Sequence, residues 1–295
     1  MNPDKNPGSG VCFFVSDLHG YADRYEKLFT RIYDERPCAV FLGGDLFPSG
    51  LTVFSAGDQY ISDFADAFLV AQFTKLKEKL RLDYPRVFLI LGNDDLRSEE
   101  PAMLSGAGAG LWDYIHDRKV FLSDYPVYGY AYVPPTPFRL KDWERYDVSR
   151  YVDINCTHPN EGVHSVPVTE SELKNTTIQL DLERLAGSDD LSHAVFLFHT
   201  PPYQTRLDRV AHDGKMVDHA PLDLNIGSIA VRRFIESRQP LLTLHGHVHE
   251  APRISGSWKD RIGRTYAFSA AHDGPELALV RFSLSDLEHA SRELL

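Results

Sequence analysis

The segment "RVFLILGNDDLR" (86–97) is an apolar run that ends abruptly in Gly-Asn-Asp-Asp. An unbroken apolar run of this length, stopped by a glycine, is typical of a strand that is buried on both faces. Two earlier runs have the same form, since "VCFFV" (11–15) leads into "SDLHG" and "CAVFL" (38–42) leads into "GGD". The stretches between the runs have helical spacing, so we predict an α/β fold with parallel strands and right-handed crossover helices.

Helix and strand patterns continue along the rest of the chain. Apolar residues at helical spacing predict helices over about 21–35, over 64–80 and near 229–237. Further strands are predicted within 193–202, 241–250, 264–270 and 277–285. We therefore expect one α/β domain over residues 1–295.

Residues from about 135 to 190 interrupt this order, because they are polar and rich in turn-forming residues. We interpret them as an excursion from the core. A long irregular stretch is either functional, here a cap over a site, or a plain surface insertion, and the sequence leaves both open.

Composition narrows the class of protein. With 43% hydrophobic residues among 295, the chain is expected to bury a sizeable core. A formal net charge of −11 disfavours stable binding to nucleic acid or to an anionic membrane. The cysteines, Cys12, Cys38 and Cys156, form no CxxC pair and indicate a reducing compartment. The polar N-terminus does not have the pattern of a signal peptide, so we expect a cytoplasmic protein.

Ionisable or amide side chains follow five of the predicted strands: Asp17 with His19, Asp45, Asn93 with Asp94, His199, and His247 with His249. Any one of them alone is more often a turn or capping residue. The carboxyl ends of the strands are, however, where α/β sheets build their ligand sites. Glycines such as Gly44 and Gly92 would let the backbone turn sharply there. We therefore predict that these side chains meet in one site.

The donor types indicate a metal site. Imidazoles combined with carboxylate and amide oxygens, without a thiolate, suit Mn, Fe, Zn, Co or Ni and are poor for a structural zinc. Without Asp94 these are seven candidate ligands, which are too many for one tetrahedral ion and about right for two. Two neighbouring ions need a bridging ligand, and a carboxylate serves that purpose well.

The motifs "SDLHG", "GGD", "GND", "FHTPP" and "GHVH" occur in that order between residues 16 and 249. In this the chain resembles the calcineurin-like metallophosphoesterase superfamily. The resemblance implies a two-layered β-sheet sandwich flanked by helices, with a dinuclear metal centre at the strand ends. It implies that Asp17, His19 and His249 bind one metal. It implies further that Asn93, His199 and His247 bind the other, and that Asp45 bridges the two.

One position departs from the family pattern. The family commonly has a histidine after the metal-binding asparagine, where it assists phosphate binding and protonates the leaving group; here that residue is Asp94. Asp94 is a candidate catalytic residue, or merely a turn residue. His212, His219 and His272 are alternative proton donors, of which His272 is the best placed because it follows a predicted strand. Candidate substrate-binding residues are Asn93 and Arg97.

The resemblance implies hydrolysis of a phosphorylated small molecule by in-line attack of a hydroxide held between two metals. Without the family's histidine, we expect a phosphodiester or pyrophosphate-type substrate to be favoured over an alkyl monoester. Two other interpretations stay open. One is a non-catalytic metal-binding or protein-interaction module on the same fold. The other is a dinuclear metallohydrolase of a different fold, which the order of the motifs disfavours. The sequence leaves the oligomeric state open.

Overall fold

The computed structural model describes residues 10–49, 64–211, 216–217, 220–221 and 223–295. The strands, in chain order, are β1 (Cys12–Val15), β2 (Ala39–Gly43), β3 (Arg86–Ile90), β4 (Asp113–Tyr114), β5 (Arg118–Leu122), β6 (Tyr125–Tyr130), β7 (Val195–Phe198), β8 (Met216–Val217), β9 (Ala220–Pro221), β10 (Leu242–His245), β11 (Lys259–Ile262), β12 (Thr265–Ser269), β13 (Ala278–Ser283) and β14 (Asp286–Leu294). The α-helices are α1 (Ala22–Glu35), α2 (Ala71–Leu80), α3 (Glu100–Gly108), α4 (Glu170–Asn175), α5 (Ile178–Ala186), α6 (Ile229–Arg238) and α7 (Ala251–Ser255). A π-helix, Phe64–Val70, leads directly into α2.

Two mixed sheets form the core. The first has the strand order β14-β13-β1-β2-β3-β4, and the second has the order β11-β12-β10-β7-β6-β5. In the first sheet β1, β2 and β3 are parallel, as predicted, and in the second β6, β7, β10 and β12 are parallel. Antiparallel strands close both edges of the second sheet and the β14 edge of the first, whereas β4 pairs parallel with β3 at the other edge. The predicted two-layered α/β sandwich is confirmed.

The central strands are apolar on both faces because both faces are covered. Every residue of β1, β2, β7 and β10 is buried. One face of β2 and β3 lies against β6 and β7 of the other sheet, so the core runs continuously between the layers. This arrangement explains why these strands read as unbroken apolar runs rather than as alternating patterns.

Helices cover the outer faces of the sandwich. Helix α1 packs on the π-helix through Tyr25, whose ring lies 5.6 Å from that of Phe68. On the other side, α6 packs on β7, with the rings of Phe234 and Phe196 5.0 Å apart. Ser228 caps the N-terminus of α6, since its Oγ accepts the Val231 N–H. These contacts fix the strands whose ends build the site.

The predicted excursion contains more order than its sequence suggested. Residues 131–169 have only isolated bridges, but α4 and α5 follow within the predicted span of 135–190. Within the segment, Lys141 and Glu144 form an ion pair, and both side chains are fully buried. The segment also contacts the loop after β3, because Asp142 Oδ2 accepts the Arg97 N–H at 2.8 Å. The single-domain prediction and the choice between cap and surface insertion stay predictions.

No helix in the described part of the chain combines the length and the apolar character that crossing a membrane requires. The cytoplasmic location stays a prediction.

Candidate metal centre

The candidate ligands lie just beyond the carboxyl ends of five parallel strands, β1, β2, β3, β7 and β10. Because the two sheets stack with these ends at one edge, loops that are far apart in sequence meet there. The structure brings all seven predicted ligands into one continuous set of contacts, which divides into two halves.

The first half contains Asp17, His19 and His249. The His249 Nε2 lies 3.3 Å from Asp17 Oδ1 and 3.2 Å from His19 Nε2. The two imidazole rings meet edge to face, with their centroids 5.0 Å apart. This half is partly open to solvent, since the side chains of His19 and His249 are 17% and 34% exposed.

The second half contains Asn93, His199 and His247. The His199 Nε2 lies 3.1 Å from Asn93 Oδ1, and the centroids of the His199 and His247 rings are 5.3 Å apart. The His199 Nδ1 faces the carbonyl oxygen of Gly43 at 2.7 Å. Both His199 and Asn93 are buried, so this half is the more enclosed one.

Asp45 lies between the halves. Its Oδ2 is 3.8 Å from His19 Nε2 and 3.3 Å from His199 Nε2, and its side chain is 4% exposed. One carboxylate oxygen therefore faces both groups of imidazoles, which is the arrangement that a bridging ligand requires.

A buried acceptor and a compact set of donor atoms make the cluster suitable for a cation. Asp17 Oδ2 is buried and has no hydrogen-bond partner among the described residues. A buried carboxylate oxygen in that state is costly unless a cation binds it. The donor atoms of Asp17, His19, Asp45 and His249 all lie within 4.8 Å of one another, so one ion could contact all four residues.

Electrostatics point the same way. Burial alone lowers the pKa of His19, but the contact with Asp94 and the charges of Asp45 and Asp17 outweigh it and raise the pKa to about 9. Burial is likewise outweighed at His199, where the charge of Asp45 raises the pKa to about 9. In the metal-free chain, protons on these imidazoles offset the two buried carboxylates. A metal ion would replace them.

Four of the seven predicted ligands have a left-handed backbone: Asp17 (φ 58°), His19 (φ 47°), Asp45 (φ 52°) and His247 (φ 73°). Such a conformation costs a residue with a side chain about 1–3 kcal/mol, and it persists where the surrounding structure demands it. Its concentration at this edge indicates a functional site. The close packing also requires Gly92, because a Cβ there would lie 2.4 Å from Asp45 Oδ1.

The three polar residues of "GNDD" have three different surroundings. Asn93 faces His199. Asp94 Oδ2 lies 3.4 Å from His19 Nδ1, and Asp94 Oδ1 accepts the Ser49 Oγ–H at 3.0 Å. Asp95 is buried and accepts the backbone N–H groups of Leu46, Phe47 and Gly92. It therefore clamps the loops after β2 and β3 together.

The contacts of the remaining predicted residues are with side chains outside this cluster. The Arg97 guanidinium contacts Glu172 at 3.0 Å, in the excursion, and Glu100 at 3.9 Å. The His272 Nε2 faces Glu276 Oε2 at 2.9 Å. Roles for Arg97 in substrate binding and for His272 in catalysis stay predictions. His212 and His219 lie outside the described residues.

Sequence reasoning missed two contributors. One is the Gly43 carbonyl, which no side-chain pattern reveals. The other is Ser49, which lies in a loop without a recognisable motif. A third histidine of "LHGHVH", His245, belongs to the core: its Nδ1 faces the Thr200 carbonyl and its Nε2 faces Thr243 Oγ1. His245 lies within β10, whereas His247 follows the end of the strand and has a left-handed backbone (φ 73°).

A family model described as calcineurin-like phosphoesterase matches residues 12–251, which include all seven candidate ligands. The chain belongs to the calcineurin-like phosphoesterase family. This membership confirms the resemblance inferred from the ordered motifs. It also agrees with the candidate site of two aspartates and two histidines, because the family typically binds divalent metals.

Solved structures show the same fold. One crystal structure aligns over 97% of this chain and 98% of its own length, with 15% identity and a TM-score of 0.59. The crystal structure of TT1561 from Thermus thermophilus aligns over 97% of this chain and 99% of its own length. Its identity is 18% and its TM-score is 0.57. Identities this low support the shared fold alone. No curated protein sequence matches the chain.

Proposed function

We propose that this protein is a dinuclear metal-dependent phosphoesterase that cleaves phosphodiester or pyrophosphate-type bonds in preference to alkyl monoesters. The observation that carries the proposal is the position of Asp45, whose Oδ2 faces imidazoles of both halves of the cluster. The buried Asp17 Oδ2, which has no hydrogen-bond partner in the described part of the chain, supports it further. Membership of the calcineurin-like phosphoesterase family supports the same class of reaction.

The residues have distinct tasks in this proposal. The first half of the cluster would hold one ion, the second half would hold another, and Asp45 would lie between them. Bound divalent ions supply Lewis acidity toward phosphoryl oxygens and a nucleophilic water near neutral pH. Because Asp17 and Asp45 offset only half of the charge of two divalent ions, the loaded site would attract an anionic substrate despite the net charge of −11.

Leaving-group departure is the step that this chain supports least. Asp94 replaces the family's histidine, and both of its oxygens already have neighbours, Ser49 and His19. A proton on Asp94 would disrupt one of these contacts. The enzyme should therefore favour substrates whose leaving group needs little protonation, because a positioned acid is typically worth about 10²–10⁴-fold in rate.

The test uses the full chain loaded with Mn²⁺ and compares two substrates, bis(p-nitrophenyl) phosphate and glycerol 2-phosphate. We expect kcat/KM to be at least about tenfold higher for the diester, since its leaving group departs without an acid. Comparable turnover of the alkyl monoester would contradict the substrate preference. Two bound ions without hydrolysis of either substrate would favour the non-catalytic module.

A matched variant isolates the missing imidazole. Asp94→His restores the residue type of the family, and at saturating Mn²⁺ we expect it to gain about 10²-fold in monoesterase activity. Unchanged monoesterase activity would show that the residue at position 94 does not set substrate choice.

A further inference from the structure

Asp94 lies behind the His19 imidazole, on the side that faces away from the cluster. We propose that Asp94 is a positioning residue: it accepts the His19 Nδ1–H and thereby presents His19 Nε2 to the ion of the first half. This inference rests on the proposed function, because it requires the cluster to hold metal. It gives position 94 a task different from that of the histidine it replaces.

The two ring nitrogens of His19 face different partners, which indicates which of them would bind the ion. Its Nε2 faces His249 Nε2 at 3.2 Å and Asp45 Oδ2 at 3.8 Å, within the cluster. Its Nδ1 faces Asp94 Oδ2 at 3.4 Å. A metal-binding imidazole usually donates its other N–H to a carboxylate or a carbonyl, which fixes the tautomer and makes the ligating nitrogen more basic. Asp94 is where such a partner belongs.

The second half of the cluster provides an internal comparison. The His199 Nε2 faces Asn93 and Asp45, whereas its Nδ1 faces the Gly43 carbonyl at 2.7 Å. The two imidazoles thus have the same relation to the cluster, and each has one acceptor behind it. That acceptor is a main-chain carbonyl for His199 and the Asp94 side chain for His19.

Asp94 is itself held in place from two sides. Its Oδ1 accepts the Ser49 Oγ–H at 3.0 Å. Its backbone N–H donates to Asp45 Oδ1 at 2.8 Å, so its main chain is tied to the residue shared by both halves. A side chain anchored at one oxygen and directed at an imidazole with the other is preorganised for orientation.

A direct metal contact is the competing role. The set of donor atoms within 4.8 Å of one another consists of Asp17, His19, Asp45 and His249. Asp94 does not belong to this set, although it is a described residue. The side chain acts on the ion only through His19, and this difference can be measured.

The experiment measures Zn²⁺ affinity and stoichiometry of the full chain by competition with a chromogenic chelator. Asp94→Ala should lower the affinity for one of the two bound ions by about 10- to 100-fold and leave the affinity for the other unchanged. Asp94→Asn keeps an acceptor behind the imidazole, so its loss of Zn²⁺ affinity should be smaller. Asp273→Asn is the control for the loss of a negative charge. Asp273 lies in the loop after β12, and its carboxylate pairs with Arg253. This variant should leave both affinities unchanged.

A double-mutant cycle separates the two roles. In a chain that already carries His19→Ala, adding Asp94→Ala should not lower the affinity for either ion any further, because Asp94 acts only through His19. As a spectroscopic readout, NMR of the Zn²⁺-loaded chain should show a downfield resonance of the His19 Nδ1–H. This resonance should be absent from both Asp94→Ala and His19→Ala.

The outcomes are distinguishable. Unchanged affinity in Asp94→Ala, with two ions in the wild type, would overturn the positioning role alone. An equal loss with and without His19 would overturn it in favour of direct ligation. A wild-type chain that binds no Zn²⁺ would overturn the proposed function as well.

Discussion

The two halves of the candidate centre contain similar donors but are built differently. The half around His199 is buried, and a main-chain carbonyl lies behind that imidazole. The half around His19 is partly exposed, and a side chain, Asp94, lies behind its imidazole. A main-chain acceptor persists whatever residue occupies the position, whereas a side chain can be substituted. The comparison therefore indicates that the enclosed half is the more rigid one and that substitutions can adjust the open half.

The largest effect should come from the residue that the halves share. Asp45→Ala removes the oxygen that faces both His19 and His199. We expect metal stoichiometry to fall and diester hydrolysis to drop by more than about 100-fold, beyond the range for residues that only orient ligands. Kinetics with bis(p-nitrophenyl) phosphate check this at saturating Mn²⁺. A variant that keeps two ions and a tenth of the activity would show that Asp45 is not shared.

The halves should also differ in how fast they release an ion. We expect two phases after addition of excess chelator, the faster from the half with exposed His19 and His249. His249→Ala should remove the fast phase and His247→Ala the slow one, because each takes one imidazole from one half. Stopped-flow absorbance with a chromogenic chelator measures the release. The loss of the same phase in both variants would contradict the conclusion that the two halves bind separate ions.

Proton release on metal binding is a smaller effect with a definite sign. The pKa values of His19 and His199 are both raised to about 9, so below that pH both imidazoles are protonated in the metal-free chain. Metal affinity should therefore rise with pH up to about 9, because the protons must leave before the ions bind. Burial is outweighed at His249 as well, where the contact with Asp17 raises the pKa. At pH 7, calorimetry in buffers of different ionisation enthalpy should therefore detect at least about two protons released per chain. No detectable release would contradict the protonated state.

The smallest effect lies away from the centre, at His116, which titrates in the opposite direction. Burial and the nearby Arg145 and Arg97 lower the pKa of His116 to about 3. The folded chain thus prefers neutral His116. Its contribution to stability is fully present above the unfolded pKa of about 6.5 and is lost as the pH falls toward 3.

Urea unfolding in chelator at pH 7 and pH 5.5 should show a loss of about 1 kcal/mol from this residue. His116→Asn retains an acceptor for the Ala131 N–H, which His116 Nδ1 accepts at 3.1 Å. The variant should therefore lose less stability over that interval. Identical pH dependence of the two chains would show that His116 does not contribute.

The sequence predicted the central strands β1, β2, β3, β7 and β10 and the meeting of the seven candidate ligands for one physical reason. Runs such as 11–15 and 38–42 are apolar on both faces, which only central strands tolerate, and parallel strands bring their carboxyl ends to one edge. The order of the motifs then distinguished this fold from other metallohydrolase folds. The family match and the sheet topology agree with that inference.

What the sequence did not reveal depends on contacts between distant loops. The role inferred for Asp94 needs Ser49 and His19, which approach it only after β1, β2 and β3 align. Edge strands such as β14 were also missed, because a strand whose residues are mostly exposed or half-buried gives a weaker pattern than an apolar run. Arg97 looked available for phosphate, but its partner Glu172 is 75 residues away in the chain.

The most direct test of the central claim is a titration of the metal-free chain with Mn²⁺, in which bound ions and hydrolysis of bis(p-nitrophenyl) phosphate are measured on the same samples. We expect two ions per chain, with hydrolysis appearing as the second ion binds. Full activity with one bound ion, or two bound ions without hydrolysis, would contradict a dinuclear phosphoesterase.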